Sequence, residues 1–369
     1  VFNSLENYEI EIELNNALIS NNKKFENNEL LYGNLKKAIK YILIGLQETN
    51  YPISISEQNI ILNDYLKLIK NKDYVESYKI NVKDFIGPSS STLHTINLLE
   101  YSEVNSKIPN IRNNYTVTDK ADGTRKLMYI SNNGKIYLIS TTMSLQFTGC
   151  YTEMKELFNT LIDGEHILHD KNNNYINNYA AFDIYYINGK NVTGFPFINL
   201  INNYEDISKK DIEQDTPSEK ITKKKSDEND ETNNYRLTIL NSVIKTIKCY
   251  SITKSKELPI KFIIKKFYGN NIFNGCKTIL NNVKDGLYIY NTDGLIFTPA
   301  NTGVCNNKTG FIAPNYKITW NESFKWKPPE YNTIDFLVKF KKNDYGNNFV
   351  GNISNDGLNF NTSNQVTNY

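Results

Sequence analysis

The sequence of 369 residues lacks the features that mark secreted, disulfide-bonded or membrane-spanning proteins. Its four cysteines are widely separated and form no Cys-x-x-Cys pair, which argues against a disulfide framework or a zinc site. No run approaches the ~20 apolar residues that cross a bilayer, and no signal peptide is visible. We therefore expect an intracellular, cytoplasmic protein with no membrane partner.

Charge of one sign is also lacking, because 42 basic residues face 40 acidic ones and the net charge is only +2. Bulk charge alone therefore does not predict a nucleic-acid partner, although a near-neutral protein can contain a local cationic cleft. A hydrophobic content of 39% supports a real core, and the length predicts two or three structural units. The chain begins with Val1 rather than methionine, which predicts a fragment or a processed product.

The N-terminal residues 8–14 alternate between apolar side chains and glutamates. This alternation predicts a strand with Glu9, Glu11 and Glu13 on one face. A row of carboxylates is costly on a core face unless cations neutralise it. Two hypotheses stay open at this point: a metal-binding wall, and an edge strand with a solvated acidic face.

Hydrophobic periodicity and turn residues predict alternating helices and strands downstream. The predicted helices are residues 31–50, 61–68, 151–161, 236–247 and 274–283. The predicted strands are residues 127–130 and 136–139 around an Asn-Asn-Gly hairpin turn, a strand around Glu165, residues 182–187 before an Asn-Gly turn, and strands near residues 261–268.

Residues 205–234 interrupt this pattern, because they are dense in Lys, Asp, Glu, Ser and Thr with hardly an apolar side chain. Such a stretch cannot bury enough surface to offset its ordering, so we predict a disordered or mobile insertion. The lysine triplet 223–225 within it is typical of a solvated loop, with RNA contact as the alternative. Residues from 335 onward begin as a strand and then become rich in Asn, Gly and Ser.

The most informative segment is residues 120–125, Lys-Ala-Asp-Gly-Thr-Arg. A lysine at a strand end, followed at once by an Asp-Gly turn, can reach into a cleft as a nucleophile. Three further segments follow in order: Ile-Asp-Gly-Glu at 162–165, Thr-Asp-Gly-Leu-Ile-Phe at 292–297 and Phe-Lys-Trp-Lys-Pro at 324–328. By composition alone, the second and third Asp-Gly pairs are typical of hairpin turns.

Together these four segments resemble the motifs of the covalent nucleotidyltransferases, the superfamily of mRNA guanylyltransferases and polynucleotide ligases. Residues 324–336 resemble the form found in mRNA capping enzymes, and residues 85–98 resemble the lead-in of large viral capping enzymes. The resemblance covers roughly residues 85–340. It implies the guanylyltransferase of a virus-type capping enzyme, which would act in the cytoplasm, a viral factory or a virion.

The resemblance implies an α+β nucleotidyltransferase fold of the ATP-grasp-like ligase and capping type, with packed antiparallel sheets and flanking helices. The domains expected from it are a strand remnant of a tunnel-type RNA triphosphatase at 1–20, a helical linker at 21–84, the nucleotidyltransferase domain at 85–335 with the insertion at 205–234, and a truncated oligonucleotide-binding (OB) fold at 336–369. We expect no triphosphatase activity from so small a remnant. We find no candidate for the last basic motif of the family, so we expect slow nucleotide loading.

In the family, the motif lysine, here Lys120, attacks the α-phosphate of GTP, releases pyrophosphate and passes GMP to a 5′-diphosphate RNA end. Lys325 and Lys327 point the same way because they are two residues apart on a strand, so both can face one phosphate. Their charges would favour a nucleophilic, uncharged amine on Lys120. The resemblance also implies that Arg125 contacts the sugar, that Glu165 contacts the ribose or a metal-bound water, and that Phe182 lies against the base. Asp122 and Gly123 would shape the turn that presents Lys120. Asp293 and Glu165 would bind Mg²⁺ or Mn²⁺. The same resemblance relates Glu9, Glu11 and Glu13 to the metal-binding strands of tunnel-type triphosphatases.

Two other functions remain open. An ATP-dependent polynucleotide ligase would use the same lysine with AMP, and a non-catalytic module of this fold would hold RNA or a partner subunit. The expected partners are GTP, 5′-diphosphate RNA and other capping domains or subunits. His166 and His169 have metal-ligand spacing, but no acidic or cysteine partners accompany them, which favours ordinary strand histidines.

Overall fold

The computed structural model describes residues 9–21, 27–71, 74–76, 78–100, 107–200, 234–306 and 319–331, and four two-residue strands beyond them. Residues 33–331 form one unit, and residues 1–32 with 332–369 form a second. The first unit carries all the predicted site residues except Glu9, Glu11 and Glu13. No helix in the described ranges is long and apolar enough to cross a membrane.

Three of the described helices precede the first described strand, and the other two lie between strands. The helices are α1 (Asn16–Ser20), α2 (Asn28–Gln47), α3 (Ile55–Lys70), α4 (Arg236–Thr246) and α5 (Ile272–Lys284). The strands are β1 (Ser89–Thr92), β2 (Tyr115–Ala121), β3 (Thr124–Ile130), β4 (Lys135–Ser140), β5 (Leu145–Tyr151), β6 (Thr160–His169), β7 (Tyr175–Ile187), β8 (Lys190–Asn191), β9 (Tyr250–Ser251), β10 (Lys261–Ile264), β11 (Thr292–Pro299), β12 (Thr319–Trp326), β13 (Lys341–Lys342), β14 (Asn348–Phe349), β15 (Asn352–Ile353) and β16 (Phe360–Asn361).

Two sheets build the unit of residues 33–331. One has the order β1-β12-β11-β2, and the other has the order β10-β7-β6-β3-β4-β5-β9, with β8 paired to β7. Most pairs are antiparallel, as predicted, whereas β1 with β12 and β10 with β7 are parallel. The chain between β7 and β10 contains α4, and a crossover of that length permits parallel pairing.

Helices cover both sheets. Helix α3 begins at Ser54, whose side chain accepts a hydrogen bond from Glu57 N at 3.1 Å, and it buries Tyr65 and Leu66 on the eight-stranded sheet. Helix α4 buries Leu240 on the opposite face of that sheet. Helix α5 buries Ile279 against the four-stranded sheet. The predicted helices at 31–50, 61–68, 236–247 and 274–283 are therefore confirmed.

The predicted helix at 151–161 is wrong. Strand β5 ends at Tyr151, β6 begins at Thr160, and only Lys155–Leu157 form a short 3-10 turn. Asn159 has a φ of 53°, a left-handed conformation that a helix cannot accommodate. The apolar residues of this stretch instead pack individually against the hydrophobic core.

Two strand predictions also require correction. Residues 9–14 form neither helix nor strand in the structure. Ile10 is 59% exposed and Ile12 is 41% exposed, so the apolar face that would have stabilised a strand has no packing partner among the described residues. The strand predicted through residue 268 ends at Ile264, and Tyr268 forms only an isolated bridge with Val117.

The predicted insertion and the predicted OB start lie outside the described residues, apart from Asn234 and the strands β13 to β16. The described residues that flank the insertion meet each other. Arg236 N donates to Pro196 O at 3.0 Å, and Leu237 N donates to Phe197 O at 2.9 Å. Residues 196–197 and 236–237 are therefore neighbours in the fold.

Candidate active site

A cavity of about 230 Å³ lies between the two sheets of residues 33–331. Its walls are formed by residues from both sheets and from the chain around β1. The lining residues from the four-stranded sheet include Lys120, Ile296, Thr298, Trp320 and Lys325, and those from the eight-stranded sheet include Arg125, Glu165, Phe182, Asp183 and Tyr185. The structure thus brings five residues of the predicted set into one cavity: Lys120, Arg125, Glu165, Phe182 and Lys325.

The Asp-Gly pair after Lys120 carries the chain from one sheet to the other. Lys120 is the penultimate residue of β2, and Asp122 and Gly123 lead directly into β3. A Cβ atom on Gly123 would lie 2.8 Å from Glu165 Cγ, a distance that real Cβ contacts do not show. Glycine therefore permits the close approach that sets Lys120 beside the acidic residue of the second sheet.

The ammonium group of Lys120 is bound by the carboxylate of Asp293. Lys120 Nζ donates to Asp293 Oδ1 at 2.7 Å and to Oδ2 at 3.0 Å, and Lys327 Nζ lies 2.7 Å from Oδ2 of the same carboxylate. Burial tends to raise the pKa of Asp293, but the hydrogen bonds and charges of the two lysines lower it below its ordinary value. Asp293 therefore holds its negative charge between two cations.

A backbone irregularity aims Asp293 at the site. The pairing of β11 with β2 shifts register between Thr292 and Leu295. Gly294 has a φ of 146°, and a Cβ atom there would overlap the carbonyl oxygen of Trp326. The interpretation of both downstream Asp-Gly pairs as hairpin turns is wrong, since Asp163 lies within β6 and Asp293 within β11.

The two lysines at the end of β12, Lys325 and Lys327, make different contacts. Lys325 lines the cavity, whereas Lys327 binds Asp293 just after the strand ends. Trp326 between them is half-buried and packs with the cluster around Phe297 and Phe324, as the alternation predicts. Lys325 thus borders the cavity, and Lys327 shares the Asp293 carboxylate with Lys120.

On the opposite wall of the cavity, the guanidinium group of Arg125 donates three hydrogen bonds to other residues of the protein. Its Nε and Nη2 bind the two oxygens of Asp163 at 3.1 and 2.5 Å, and its Nη1 donates to Pro88 O at 2.6 Å. Tyr185 donates its hydroxyl to Asp163 at 2.5 Å. Burial lowers the pKa of Arg125, but the carboxylate of Asp163 more than compensates and raises it. A guanidinium has five N–H donors, so these described contacts leave two for a ligand.

Glu165 and Phe182 complete this wall. Burial raises the pKa of Glu165 to about 7, against the lowering effect of the Lys265, Arg125 and Lys120 charges. The ring centroid of Phe182 lies 5.6 Å from the guanidinium carbon of Arg125. Phe182 therefore presents an apolar ring to the cavity beside a fixed cation.

Sequence reasoning assigned no site role to two of the residues that form this site, Lys265 and Asp163. Lys265 lines the cavity although it is buried, and its ammonium contacts the backbone and carboxylate of Asp119. Asp163 was assigned only to a turn, although it is the anchor of Arg125. A lysine that follows directly on the apolar strand β10 is the one signal that could have indicated Lys265.

The remaining predicted metal residues lie elsewhere. In the ranges that the structure describes, no group of three or more His, Cys, Asp or Glu side chains is arranged to hold a metal ion. Glu9, Glu11 and Glu13 are exposed in the irregular segment 9–14. His166 Nε2 hydrogen-bonds Asn177 Oδ1 at 2.7 Å, and the ring of His169 packs edge-on against Tyr175.

Comparison with known proteins agrees with this geometry. Residues 62–233 match the family described as mRNA capping enzyme, catalytic domain. A probable mRNA-capping enzyme of Acanthamoeba polyphaga mimivirus is 29% identical over 363 residues, which are 92% of this chain and 26% of that protein. An mRNA-capping enzyme of Danio rerio is 26% identical over 237 residues, which are 63% of this chain and 32% of that protein. The chain thus spans about a quarter to a third of these relatives.

Among solved structures, the ligase domain of LigD from M. tuberculosis shares 10% identity at a TM-score of 0.35, covering 66% of this chain and 60% of that one. This similarity is too low to support an inference. The family match includes Lys120, Arg125, Glu165 and Phe182, which all line the cavity, so the similarity to a nucleotidyltransferase catalytic domain includes the residues of the site. More particularly, the matched residues are similar to the catalytic domain of mRNA capping enzymes.

Proposed function

We propose that this chain is a GTP:RNA guanylyltransferase that forms a covalent GMP adduct on Lys120. The observation that supports this most directly is the position of Lys120, whose amine borders the inter-sheet cavity within a capping-type catalytic domain. Arg125, Glu165, Phe182 and Lys325 surround the same space. No other lysine of the cavity stands at the crossing between the two sheets in the described part of the chain.

The reaction has two balanced steps. In the first, the unprotonated amine of Lys120 attacks the α-phosphorus of GTP, a P–N bond forms, the bond from the α-phosphorus to the bridging oxygen breaks to release pyrophosphate, and the nitrogen loses one proton to the departing pyrophosphate or to water. In the second, a terminal phosphate oxygen of the 5′-diphosphate RNA attacks the same phosphorus. The P–N bond then breaks, the RNA carries the GMP, and Lys120 regains a proton.

The charged residues have distinct tasks in these steps. Negative charge spreads over the phosphate oxygens in such transfers, so positioning and neutralisation supply most of the rate enhancement. Lys325 borders the cavity, Lys327 shares the Asp293 carboxylate with Lys120, and both would hold the α-phosphate. Because its pKa is lowered, Asp293 is a weak proton acceptor and is better suited to hold cations in place.

The opposite wall would bind the nucleoside. The two free N–H donors of Arg125 can reach a sugar hydroxyl, and Glu165 can accept a hydrogen bond from the ribose. The ring of Phe182 offers a flat apolar surface for the base. Guanine preference is inferred from the similarity to capping enzymes rather than from any of these contacts.

The donor set fits a magnesium or manganese ion. Mg²⁺ is commonly held by one or two carboxylates together with substrate phosphates, and Asp293 and Glu165 are carboxylates that face this site. Such an ion would supply positive charge to the phosphate oxygens during transfer. Asp293 would exchange its two ammonium partners for it, whereas Glu165 must lose its proton.

We further infer a virus-type parent enzyme with other capping domains, among them an upstream tunnel-type RNA triphosphatase. The support is the mimivirus relative, of which this chain spans about a quarter. An ATP-dependent ligase remains the chemical alternative, because it would use Lys120 with AMP. A non-catalytic RNA-binding or partner-binding module is the alternative from another class.

The test is incubation of the chain with α-labelled GTP or ATP and Mg²⁺, followed by denaturing electrophoresis. We expect label from GTP that is labile in acid and stable in alkali, as a lysine phosphoramide is. Label from ATP alone would contradict the guanylyltransferase assignment in favour of a ligase. No label from either nucleotide would favour the binding module.

A further inference from the structure

Arginine is rare in this chain, and its use is selective. Only Arg112, Arg125 and Arg236 are found among 42 basic residues. Lysine supplies positive charge elsewhere, so arginine is retained where a planar group with several donors is required. Arg125 and Arg236 each bind one aspartate through two nitrogens, whereas Arg112 is exposed.

Arg236 is the first residue of α4, and it is completely buried. Its Nε and Nη2 bind the two oxygens of Asp183 at 2.8 and 3.1 Å. Its Nη1 donates to the carbonyl oxygens of Phe195 and Thr302, the latter at 3.0 Å. One side chain therefore joins β7, the chain before the insertion, the start of α4 and the chain after β11.

The two arginine pairs meet at their aspartates. Asp163 on β6 and Asp183 on β7 are direct cross-strand partners, so their side chains leave the same face of the sheet. Like charges at such positions repel each other, and here both are buried. Each carboxylate is stable there because its own guanidinium neutralises it. The result is a continuous row, Arg125–Asp163–Asp183–Arg236, that runs from the cavity into the base of α4.

We propose that Arg236 is a positioning residue for Arg125: by neutralising Asp183, it leaves the Asp163 carboxylate committed to the guanidinium that faces the cavity. Without Arg236, two adjacent buried carboxylates would share the one remaining guanidinium. Arg125 would then shift toward Asp183 and away from the space it shares with Phe182. The coupling itself follows from the geometry alone, whereas its effect on GTP rests on the proposed function.

The first test observes Arg125 directly and needs no nucleotide. Protein labelled with ¹⁵N only in arginine should give three side-chain Nε–H signals, assigned by replacing each arginine in turn. We expect Arg236→Met to remove one signal and to shift that of Arg125, while the Arg112 signal stays in place. An Arg125 signal that stays unchanged in folded Arg236→Met protein would overturn the proposal.

Two further variants keep the test decisive if Arg236→Met folds poorly. Arg236→Lys keeps the charge but loses the second contact to Asp183, so a smaller shift of the Arg125 signal is expected. The double variant Arg236→Met/Asp183→Asn removes both charges, and it should return the Arg125 signal toward its original position. A double variant that resembles Arg236→Met alone would contradict the neutralisation argument.

The second test uses GTP labelling, with Arg112→Met as the matched control. We expect Arg236→Met to raise the KM for GTP roughly tenfold, because Arg125 is displaced from the nucleoside side of the cavity. A purely structural role would lower the maximal rate with the folded fraction and leave KM unchanged, which would overturn the proposal. If unaltered protein takes no label, the proposed function fails, and the arginine signals still decide the coupling.

Discussion

The two walls of the cavity differ in how they hold charge. On the four-stranded sheet, Asp293 is shared by two lysines whose side chains are 24% and 35% exposed. On the eight-stranded sheet, Asp163 has no exposed surface and is matched by a single guanidinium. The first carboxylate therefore has two partners on flexible side chains that it can exchange, whereas the second is fully buried and bound through both oxygens by one planar group.

This difference agrees with the two tasks that the proposed reaction requires. The reacting phosphates change partners and charge at each step, so lysines with freely rotating ammonium groups suit that wall. The nucleoside keeps its structure throughout, so pre-formed donors on a rigid strand suit the other. Mutations should therefore affect chemistry on one wall and stability on the other.

The largest expected effect is on the reacting wall. Lys120→Ala should abolish covalent labelling, because no other amine can form the phosphoramide at this position. Its unfolding midpoint should stay close to that of the unaltered protein, since Lys120 is partly exposed. Lys155→Ala, an exposed lysine on the turn before β6, is the control. Persistent labelling of Lys120→Ala would disprove the nucleophile assignment.

Lys327→Ala should have the next largest effect. Loss of one charge-assisted contact in a phosphoryl-transfer site costs ~3 kcal/mol, or a reduction in rate of roughly two orders of magnitude. The labelling rate at saturating GTP measures this. A rate within twofold of normal would remove Lys327 from the proposed phosphate site and leave it as a structural partner of Asp293.

On the wall formed by the eight-stranded sheet, the expected loss is in stability. Asp163→Asn removes the fully buried carboxylate that binds Arg125, and breaking a buried pair costs up to about 3–5 kcal/mol. Asp293→Asn removes a carboxylate whose two ammonium partners are partly solvated, which should cost less, about 1 kcal/mol. Denaturant unfolding of both variants tests the comparison. Equal losses would show that the two walls do not differ as their exposure indicates.

A smaller effect concerns pH. Burial lowers the pKa of His166 from 6.5 to about 4, so protonation favours the unfolded chain. The stability that neutral His166 contributes is present above pH 6.5 and is lost as the pH falls toward 4. The full loss is about 3 kcal/mol by linkage. His166→Gln should show a flatter fall in unfolding free energy over that range, and an identical slope would contradict the burial argument.

The sequence predicted the residues of the cavity better than their backbone setting. Strand alternation was enough to orient Lys325 and Trp326, because the period of a strand is fixed by its geometry. The Asp-Gly pairs at 163 and 293 were interpreted as turns because their composition is typical of turns. In the structure both pairs lie within strands, where the glycine lets another element approach closely, and composition cannot distinguish these two uses.

The sequence also could not predict which residues that are distant in the chain form ion pairs with each other. Asp163 with Arg125 and Asp183 with Arg236 are separated by 38 and 53 residues, and no local pattern encodes which partner each aspartate takes. The prediction of a helix at 151–161 is wrong because the spacing of apolar residues fits a helix, whereas the left-handed backbone conformation of Asn159 does not.

The hydrogen bonds that join Pro196 to Arg236 and Phe197 to Leu237 have a practical consequence. They fix described residues on the two sides of residues 201–233 next to each other, and the free energy of loop closure grows only slowly with loop length. A change in the number of residues between positions 200 and 234 should therefore cost little free energy of unfolding. A fluorescent or affinity tag placed there should leave the folded domain intact, which makes this position a suitable attachment point.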